Sequence, residues 1–387
     1  MPRLLRRALQ LLGLLILIAA AVALWKRDEI ARLLAVNSLF EAENITQNFS
    51  HMDQIFYHRP LSRGEGPVSP LPPGPPFALP AEADQWIKDR SVTGIVMLKN
   101  GQMVHESYYL GTTPEDLRIS WSVAKSFLAA LFGVIEAEGA IGSLDDQVTK
   151  YAPSLAGSAY DGATIRDVLT MSSGVAFNED YLDFYSDINK MGRVLALGGS
   201  MDAFAAGLKT REAEPGSRWH YVSIDTHVIG MVIRGATGKD IPELLSDRIL
   251  APLGLEAAPY YLTDGEGVSF VLGGLNMRTR DYARFGQMVL QGGKMQGIQV
   301  VPEAWVIAMT GRQAKDGSDY GFQWWIPPNA APGEVMAQGI YGQYIYINPD
   351  LGVVIAVNSA DRGFEEPGVD AGNIAMLRAL AGAIPAP

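Results

Sequence analysis

The longest uninterrupted apolar stretch of the chain lies near its N-terminus, where residues 8 to 25 carry no charged side chain. Arg3, Arg6 and Arg7 precede this stretch, and Lys26 follows it. A run of about 18 apolar residues can cross a bilayer, and positive charge before such a run tends to stay in the cytoplasm. We therefore predict an export segment over residues 1 to 27, with everything after it outside the bacterial inner membrane.

The export segment fits two interpretations. Ala21, Val22 and Ala23 form a small-residue cleavage site of the kind that ends a signal peptide. The apolar run is long for a signal peptide, however, and it ends in Trp25 and Lys26, which suit an uncleaved anchor. We favour a single-pass inner-membrane anchor with the catalytic domain in the periplasm, and secretion to the periplasm after cleavage is the alternative.

A change in composition separates this region from the body of the protein. Residues 28 to 80 form an N-terminal extension that ends in the Pro- and Gly-rich stretch "LSRGEGPVSPLPPGPPFALP". Such a composition does not form regular helices or strands. We predict a domain boundary near Pro80, followed by one catalytic domain over residues 81 to 385.

The alternation of apolar and polar positions in this domain predicts strands at both of its ends. The stretch "VTGIVMLKNGQMVHESYYLG" predicts a hairpin that turns at Asn100 and Gly101. The stretch "AQGIYGQYIYINPDLGVVIAVNS" predicts two or three further strands, and "AGNIAMLRALAGAI" a closing amphipathic helix. Residues 151 to 260 are mostly helical and rich in turns. We predict an α+β fold, an α/β sandwich in which one antiparallel sheet is flanked by helices and carries an inserted helical region.

Composition and charge exclude several classes of function. The net charge is −11 and no cluster of Lys and Arg offsets it, so a nucleic-acid partner is not expected. The chain has no cysteine, which excludes disulfides, thiolate nucleophiles and cysteine zinc sites. Its five histidines form no H-E-x-x-H motif, and no phosphate-binding glycine loop or G-x-S-x-G elbow occurs. No metal and no cofactor are therefore expected.

The stretch "SWSVAKSFLAALFGVI", residues 120 to 135, contains the first candidate for catalysis. It predicts a helix that is apolar around most of its circumference and carries one charge, Lys125. Burying an unpaired ammonium is unfavourable unless the amine loses its proton. Ser122 precedes Lys125 by three residues, so both lie on one face of the helix. A serine with an amine base beside it is a nucleophile pair, whereas the alternative is a helix-start serine and a lysine that reaches the surface.

A second candidate pair follows about a hundred residues later. In "EPGSRWHYVSIDTHVIG", Tyr221 and Ser223 stand two apart in an extended piece before a predicted helix that starts at Ile224. They can therefore point together into a cleft. Without a partner motif, a packed core tyrosine and an N-cap serine are the favoured interpretation. His220 and His227 are expected to be structural, although His220 adjoins Tyr221.

These motifs together resemble a known family. Three stretches are similar to the S-x-x-K, Y-x-N or Y-x-S and K-T-G-like elements of penicillin-binding proteins and class C β-lactamases. They are Ser122 to Lys125, Tyr221 to Ser223 and the strand "QGIYGQ" at 338 to 343. The stretches "TIRDVLTMSSGV", "GGLNMRTRDYARFGQMVLQGG" and "YGFQWW" extend the resemblance over roughly residues 85 to 385. The branch that it most resembles contains amidases and esterases similar to 6-aminohexanoate-dimer hydrolase.

The resemblance implies a β-lactamase/transpeptidase-like fold and a role for each motif. Ser122 would be the acylated nucleophile and Lys125 its base, Tyr221 would shuttle the proton, and Ser223 would support the hydrogen bonds between them. The backbone N–H groups of Ser122 and Ile340 would form the oxyanion hole. The resemblance further implies that three residues bind substrate: Tyr181, Gly339 and Tyr341.

The substrate implied is a small-molecule ester or amide, and the sequence identifies no protein partner. Ala337 and Gln338 stand where β-lactamases carry the cation and hydroxyl of K-T-G, and Ser223 replaces the Asn of Y-x-N. These departures favour a neutral substrate over a β-lactam. A β-lactamase or D-Ala-D-Ala peptidase is the alternative enzyme, and a membrane-tethered binding or sensing module without catalysis is the alternative from another class.

Overall fold

The computed structural model describes residues 3–385, so residues 1 and 2 of the predicted export segment lie outside the described residues. The rest of that segment forms a helix, of which Leu5–Trp25 is long and apolar enough to cross a membrane. No part of its most apolar window is buried against the rest of the protein. A signal sequence and a membrane anchor both have these properties.

The described residues contain the following strands, numbered along the chain: β1 (His58–Pro60), β2 (Val92–Lys99), β3 (Gln102–Tyr108), β4 (Arg118–Ile119), β5 (Tyr260–Leu262), β6 (Leu275–Met277), β7 (Lys294–Met295), β8 (Ile298–Gln299), β9 (Val335–Gly339), β10 (Gln343–Asn348) and β11 (Val353–Ser359).

They also contain the following α-helices: α1 (Arg3–Trp25), α2 (Arg27–Asn37), α3 (Ile45–Asn48), α4 (Ala81–Asp89), α5 (Val123–Ala137), α6 (Ile165–Leu169), α7 (Asp187–Ala196), α8 (Met201–Gly207), α9 (Ser223–Thr237), α10 (Ile241–Leu245), α11 (Ala251–Leu253), α12 (Thr279–Leu290), α13 (Glu303–Thr310) and α14 (Val369–Ala383).

The main sheet has five antiparallel strands in the order β3-β2-β11-β10-β9. The first hairpin turns where the sequence predicted, and Asn100 and Gly101 both have positive φ, at 51° and 79°, as a tight hairpin turn requires. The predicted α+β class is confirmed. A four-stranded sheet, β1-β5-β6-β4, and a two-stranded sheet accompany the main one. The sequence did not predict them because their strands are only two or three residues long, too short to show a periodicity.

Alternate residues of β2 point to opposite sides of the main sheet, and each side is covered by helices. Ile95 and Met97 belong to the apolar cluster that includes residues of α4 and α14. Val96 and Leu98 belong to the larger cluster, which includes residues of α5, α9 and α12. The result is the predicted helix–sheet–helix sandwich. Helix α5 is buried along most of its length and lies at the centre of the larger cluster.

The N-terminal extension packs into the body of the protein. Its residues Leu39, Phe49 and Met52 are among the fully buried members of the larger apolar cluster. The buried Arg118 of β4 donates to the Thr46 carbonyl at 2.7 Å, and the Ile119 N–H donates to the Phe49 carbonyl at 3.0 Å. The boundary near Pro80 stays a prediction, and packing crosses it.

The Pro-rich stretch has no helix and makes a single isolated bridge, as its composition predicted. It runs beside the edge strand β3, where the Gly74 N–H donates to the Met103 carbonyl at 2.9 Å and the Phe77 N–H to the Val104 carbonyl at 2.8 Å. An uncovered edge strand is a site for pairing with other chains. The stretch therefore protects the edge of the main sheet.

Two helical glycines allow a matched test of the packing around α5. A Cβ added at Gly133 would lie 2.1 Å from the Trp305 ring, whereas one added at Gly372 in α14 would meet nothing within 4 Å. We expect Gly133→Ala to lower the free energy of unfolding by about 1–3 kcal/mol, because the tryptophan must move. Gly372→Ala should instead raise it by about 0.5–1 kcal/mol through helix propensity. Denaturant unfolding of the full chain in detergent measures both. Equal effects of the two substitutions would contradict this account of the core.

Candidate active site

Ser122 lies at the N-cap of α5, directly after a strained turn. The preceding Trp121 has a φ of +42°, a left-handed conformation that costs a non-glycine residue about 1–2 kcal/mol. The N–H groups of Val123 and Ala124 donate to the carbonyls of Ser120 and Trp121. No hydrogen bond among the described residues uses the Ser122 N–H. That group is therefore available to a ligand, as expected at a helix start.

Lys125 lies one turn further along α5 and is 1% exposed. Its Nζ donates to Ser223 Oγ at 3.1 Å and to the Leu272 carbonyl at 3.0 Å. No salt bridge among the described residues includes it. Burial lowers the pKa of Lys125 to about 7, and the charges of Glu179 and Asp225 act in the opposite direction. The amine therefore exists largely without its proton slightly above neutral pH.

Tyr221 and Ser223 meet Lys125 in the cleft. Tyr221 lies beside Ser122 and Ser223, whose hydroxyls interact with its phenol, and Lys125 Nζ lies 5.3 Å from the centre of the Tyr221 ring. Burial, followed by the charge of Glu179, raises the pKa of Tyr221 well above its ordinary value, so the phenol keeps its proton. Helix α9 begins at Ser223, one residue earlier than predicted, and its N-cap is Val222, so the N-cap interpretation of Ser223 is wrong.

The structure brings the four predicted catalytic residues together. Lys125 Nζ donates to Ser223 Oγ, and Tyr221 lies beside Ser122, Ser223 and the amine. A direct hydrogen bond between Lys125 and Ser122 is absent from the described residues, because the amine is directed toward Ser223 and the Leu272 carbonyl. Catalytic hydrogen bonds are often long in a structure without substrate and shorten when substrate binds.

Glu179 is a site residue that the sequence analysis did not identify. Its Oε2 accepts from the Ser223 N–H at 3.0 Å, its Oε1 accepts from the Ser223 hydroxyl, and the same Oε1 accepts from the Tyr181 hydroxyl at 2.7 Å. The carboxylate thereby fixes the start of α9. The available signal was an acidic residue two positions before Tyr181, in the loop that follows "SSGV". Acidic residues are common in loops, so this signal alone was not enough.

A second carboxyl group lies behind the site. Asp225 is fully buried, and its Oδ1 accepts from the Tyr160 hydroxyl at 2.7 Å and from Ser173 Oγ at 2.8 Å. Its other oxygen has no partner among the described residues. Burial raises the pKa of Asp225 to about 7. The second serine of the "SSGV" stretch therefore anchors α9 beneath Lys125.

The end of β9 approaches the turn at Ser122 closely. A Cβ on Gly339 would lie 2.8 Å from the Ser120 carbonyl oxygen and 3.0 Å from the Ser122 nitrogen, so only glycine fits there without a shift. Ile340 follows, and Tyr341 has a φ of +60° as the chain turns into β10. The predicted oxyanion residues, Ser122 and Ile340, line the same cavities.

Two cavities share Ser122, Ile340 and Tyr181. The larger, of about 330 Å³, is mostly apolar and is lined in part by residues 36–56 of the extension. The smaller, of about 240 Å³, is lined also by Tyr221 and Gly339. Tyr181 lines both, and its hydroxyl donates to Glu179. Of the three predicted substrate-binding residues, Tyr181 and Tyr341 line the larger cavity, and Tyr181 and Gly339 the smaller.

The smaller cavity is lined by a carboxylate, and none of its lining residues in the described part of the chain is a cation. Gln338, which stands in place of the hydroxyl residue of K-T-G, donates through Nε2 to Asp370 Oδ1 at 2.6 Å. Both residues line this cavity. Its polar wall therefore repels anions instead of binding them.

The histidines do not join the site. His220 bonds through Nδ1 with Glu212 at 2.5 Å and is not a lining residue of either cavity. His227 bonds through Nε2 with Asp202 at 2.7 Å beneath α9. No group of three or more His, Cys, Asp or Glu side chains with metal-binding geometry occurs among residues 3–385.

The chain is similar to proteins of a known family. A family model described as Beta-lactamase matches residues 83–379. The chain is 30% identical over 291 residues to the 6-aminohexanoate-dimer hydrolase of Paenarthrobacter ureafaciens, an alignment that spans 71% of this chain and 74% of the relative.

Two solved structures share the fold. A Bacillus anthracis protein assigned as a 6-aminohexanoate-dimer hydrolase matches with a TM-score of 0.80 at 24% identity, covering 89% of this chain and 95% of that protein. The octameric penicillin-binding protein homologue of Pyrococcus abyssi matches with a TM-score of 0.59 at 23% identity, covering 77% and 76% of the two chains.

Because Lys125 is buried without a counter-ion, we expect the site to lower the free energy of unfolding. We expect Lys125→Met to raise the free energy of unfolding at pH 7 by roughly 1–3 kcal/mol. The lowered pKa of Lys125 corresponds to a destabilisation of up to about 5 kcal/mol, which the substitution removes. The loss of the hydrogen bonds of the amine offsets part of this gain. Between about pH 7 and pH 10 the unfolded chain binds a proton at Lys125 that the folded protein does not. The free energy of unfolding of the wild type therefore rises with pH in this range, and the difference between Lys125→Met and the wild type becomes smaller.

Denaturant unfolding at several pH values, with the full chain in detergent, measures this difference. Lys88→Met in the exposed part of α4 is the matched control and should stay within about 0.5 kcal/mol at every pH. A Lys125→Met protein that is less stable than wild type at pH 7 would show that the amine is stabilising.

Proposed function

Because the chain belongs to the beta-lactamase family, as its motifs indicated, we propose that it is a serine hydrolase that cleaves an ester or amide through an acyl intermediate on Ser122. The supporting observation is the buried Lys125, one turn along α5 from Ser122, with Tyr221 beside both residues and Ser223 Oγ accepting from the amine. Its lowered pKa provides an uncharged amine that can accept a proton near neutral pH.

In the proposed acylation step, Ser122 Oγ attacks the carbonyl carbon of the substrate. Its proton passes through the Tyr221 hydroxyl to Lys125 Nζ, whose hydrogen bonds to Ser223 Oγ and the Leu272 carbonyl use N–H groups and leave the lone pair of the neutral amine to accept it. The C–O or C–N bond of the substrate then breaks, and the proton returns through Tyr221 to the departing alcohol or amine. Tyr221 suits this task because its raised pKa keeps it a phenol that both donates and accepts.

Deacylation follows the same path with water in place of the leaving group. Lys125 takes a proton from the attacking water, the ester bond to Ser122 breaks, and Ser122 recovers its proton. Negative charge on the carbonyl oxygen forms in both steps. The free N–H of Ser122 and the neighbouring N–H of Ile340 are the proposed donors that stabilise it.

The charge of the smaller cavity argues for a neutral or cationic leaving part. Penicillins and D-Ala-D-Ala peptides carry a carboxylate, and Gln338 held by Asp370 offers it no cation. A penicillin-recognising activity is therefore the less supported alternative. A non-catalytic binding module is also less supported, because the strained turn at Trp121 and the buried amine both reduce stability without an evident structural return.

We also propose that the protein is anchored in the bacterial inner membrane with its catalytic domain in the periplasm. The exposed apolar helix over Leu5–Trp25, with arginines before it, supports this placement. A cleaved segment would leave the same domain free in the periplasm.

Replacement of the nucleophile and base provides the direct test. We expect Ser122→Ala and Lys125→Ala each to lower kcat/KM for a short-chain p-nitrophenyl ester by at least about 10³-fold, because nucleophile and base act as one unit. A fluorophosphonate probe should add its mass to the wild type at Ser122. Intact mass and peptide mapping identify the modified residue.

The variant Ser126→Ala serves as the control, since Ser126 lies on the same helix and donates to the Gln323 carbonyl at 2.8 Å, away from the cleft. It should keep both the adduct and the turnover. No adduct in the wild type, with equal turnover in all variants, would reject the mechanism and favour a binding module. Durable labelling by a fluorescent penicillin at low concentration would favour the penicillin-recognising alternative.

The pKa of Lys125 predicts the pH dependence of the reaction. The base is active only without its proton, so kcat/KM should fall about ten-fold per pH unit below pH 7 and level off above it. Glu179→Gln should move the midpoint of this limb to lower pH, because the charge of Glu179 raises the pKa of the amine.

Asp225 also has a raised pKa of about 7, so a variant must separate the two groups. In Asp225→Asn, kcat/KM should still fall at acid pH, and the midpoint of this fall should lie at the same pH as in the wild type or at a lower one. A limb that disappears in Asp225→Asn, or a flat wild-type profile between pH 5.5 and 9, would assign the base to another residue.

A further inference from the structure

We propose that the larger cavity binds the apolar acyl group of the substrate and that residues 36–56 of the N-terminal extension form its selective wall. This inference rests on the proposed function, since it describes the substrate of that same site. It assigns a role to a segment that precedes the region matched by the family model, residues 83–379.

The position of Tyr221 decides which part of the substrate enters which cavity. Ser122 lines both cavities, but Tyr221 lines only the smaller one among the described residues. The group that receives the returning proton must lie beside Tyr221. The leaving group therefore occupies the smaller cavity, and the acyl group extends into the larger one.

The lining of the larger cavity selects for an apolar acyl group. Phe40 and Phe56 of the extension face Ile188 and Met191 of α7, with Leu272 near Ser122. A charged or polar group would lose its hydration among these apolar side chains, whereas each buried methylene gains affinity.

The two polar side chains that α7 contributes to this lining have partners. Arg193 donates to the Phe184 carbonyl at 2.8 Å and lies 4.3 Å from the centre of the Phe184 ring, and Phe184 is 60% exposed, so this pair marks the rim. The Asn189 amide donates to the carbonyls of Tyr181 and Asp183 at 2.9 and 2.8 Å. The Asn189 amide is therefore occupied, and Arg193 lies at the rim with one of its donors used.

The volume sets the size of the acyl group. An apolar cavity of about 150 Å³ accommodates benzene. The cavity beside Ser122, at about 330 Å³, is roughly twice as large. It therefore has room for an aliphatic chain of roughly eight to twelve carbons.

The extension is held firmly enough to act as a wall. The Phe40 ring stacks on Tyr341 with centroids 4.9 Å apart and an interplanar angle of 12°, and it lies 5.9 Å from Trp121. The Phe49 ring packs edge-on against both. Trp121 directly precedes Ser122, so the same contacts fix the wall and the turn that presents the serine.

The test measures chain-length preference with the full chain in lipid nanodiscs, which avoids detergent in the cavity. The substrates are p-nitrophenyl esters from acetate to dodecanoate. We expect kcat/KM to rise by roughly four-fold per methylene, the factor for burying one methylene group, until the cavity is filled. Alkyl acetates of increasing alcohol length, which place their chain in the smaller cavity, should not show this rise.

Two variants alter the cavity from opposite sides. Ile188→Trp fills it, and Phe40→Ala opens the wall contributed by the extension. Each should lower the ratio of kcat/KM for octanoate to that for acetate by at least ten-fold. Substrate partitioning into lipid is the same for every variant, so these ratios report on the protein.

Matched controls lie outside the cavity lining. Ile307→Trp adds the same bulk on the exposed side of α13, where Ile307 is 68% exposed. Tyr57→Ala removes an aromatic ring of the extension that packs on Arg32, with the guanidinium 4.1 Å from the ring centre. Both should keep the wild-type ratio.

The outcomes separate this inference from the proposed function. A Ser122 adduct and Ser122-dependent turnover, with a flat chain-length profile or unchanged ratios in Ile188→Trp and Phe40→Ala, would overturn the acyl cavity and leave the hydrolase. If Tyr57→Ala also lowers the ratio of kcat/KM for octanoate to that for acetate, the extension acts only through the stability of the protein. If turnover does not depend on Ser122, both proposals fail.

Discussion

The arrangement of the site depends on burying the amine of Lys125 without a counter-ion. Dehydration of an ammonium is unfavourable by several kcal/mol, and a carboxylate in contact would remove most of that cost. Such a contact would also raise the pKa of the amine and leave it unable to act as a base. The structure instead gives the amine two neutral acceptors, Ser223 Oγ and the Leu272 carbonyl.

The nearby carboxyl groups are held one layer away by other donors. Glu179 accepts from Ser223 and Tyr181, and Asp225 accepts from Tyr160 and Ser173. Their charges reach Lys125 through space and moderate its pKa without forming an ion pair. The elements around α5 therefore do more than pack, because the hydroxyl donors that they carry keep the carboxylates away from the amine.

Much of this site could be predicted because its residues come in short local patterns. The spacing of Ser122 and Lys125 on an apolar helix, and of Tyr221 and Ser223, each has a direct physical meaning in one stretch of sequence. Glu179 was missed because its role depends on a loop meeting the start of α9, 44 positions away in the chain. Pairing over that distance leaves no periodicity to detect.

The same distinction holds for the fold. The long strands and the hairpin at Asn100 were predictable, whereas the two- and three-residue strands were not. The packing of residues 39–61 into the core was also missed, because the region was assigned by composition as an extension. Its buried apolar residues, such as Phe49, have no regular spacing that would predict a helix or strand of the core.

The two cavities explain how the chain can select a substrate after losing the cation of the K-T-G motif. A fixed cation recognises a carboxylate through one strong, directional contact. Gln338 held by Asp370 cannot make that contact, so selection must come from elsewhere in the cleft. Apolar contact is weaker for each atom, but it adds up along a chain, and the larger cavity provides many such contacts. Recognition of this kind requires a closed wall, because an open groove would leave the acyl group in water. The extension, which packs on Trp121 beside Ser122, supplies that wall.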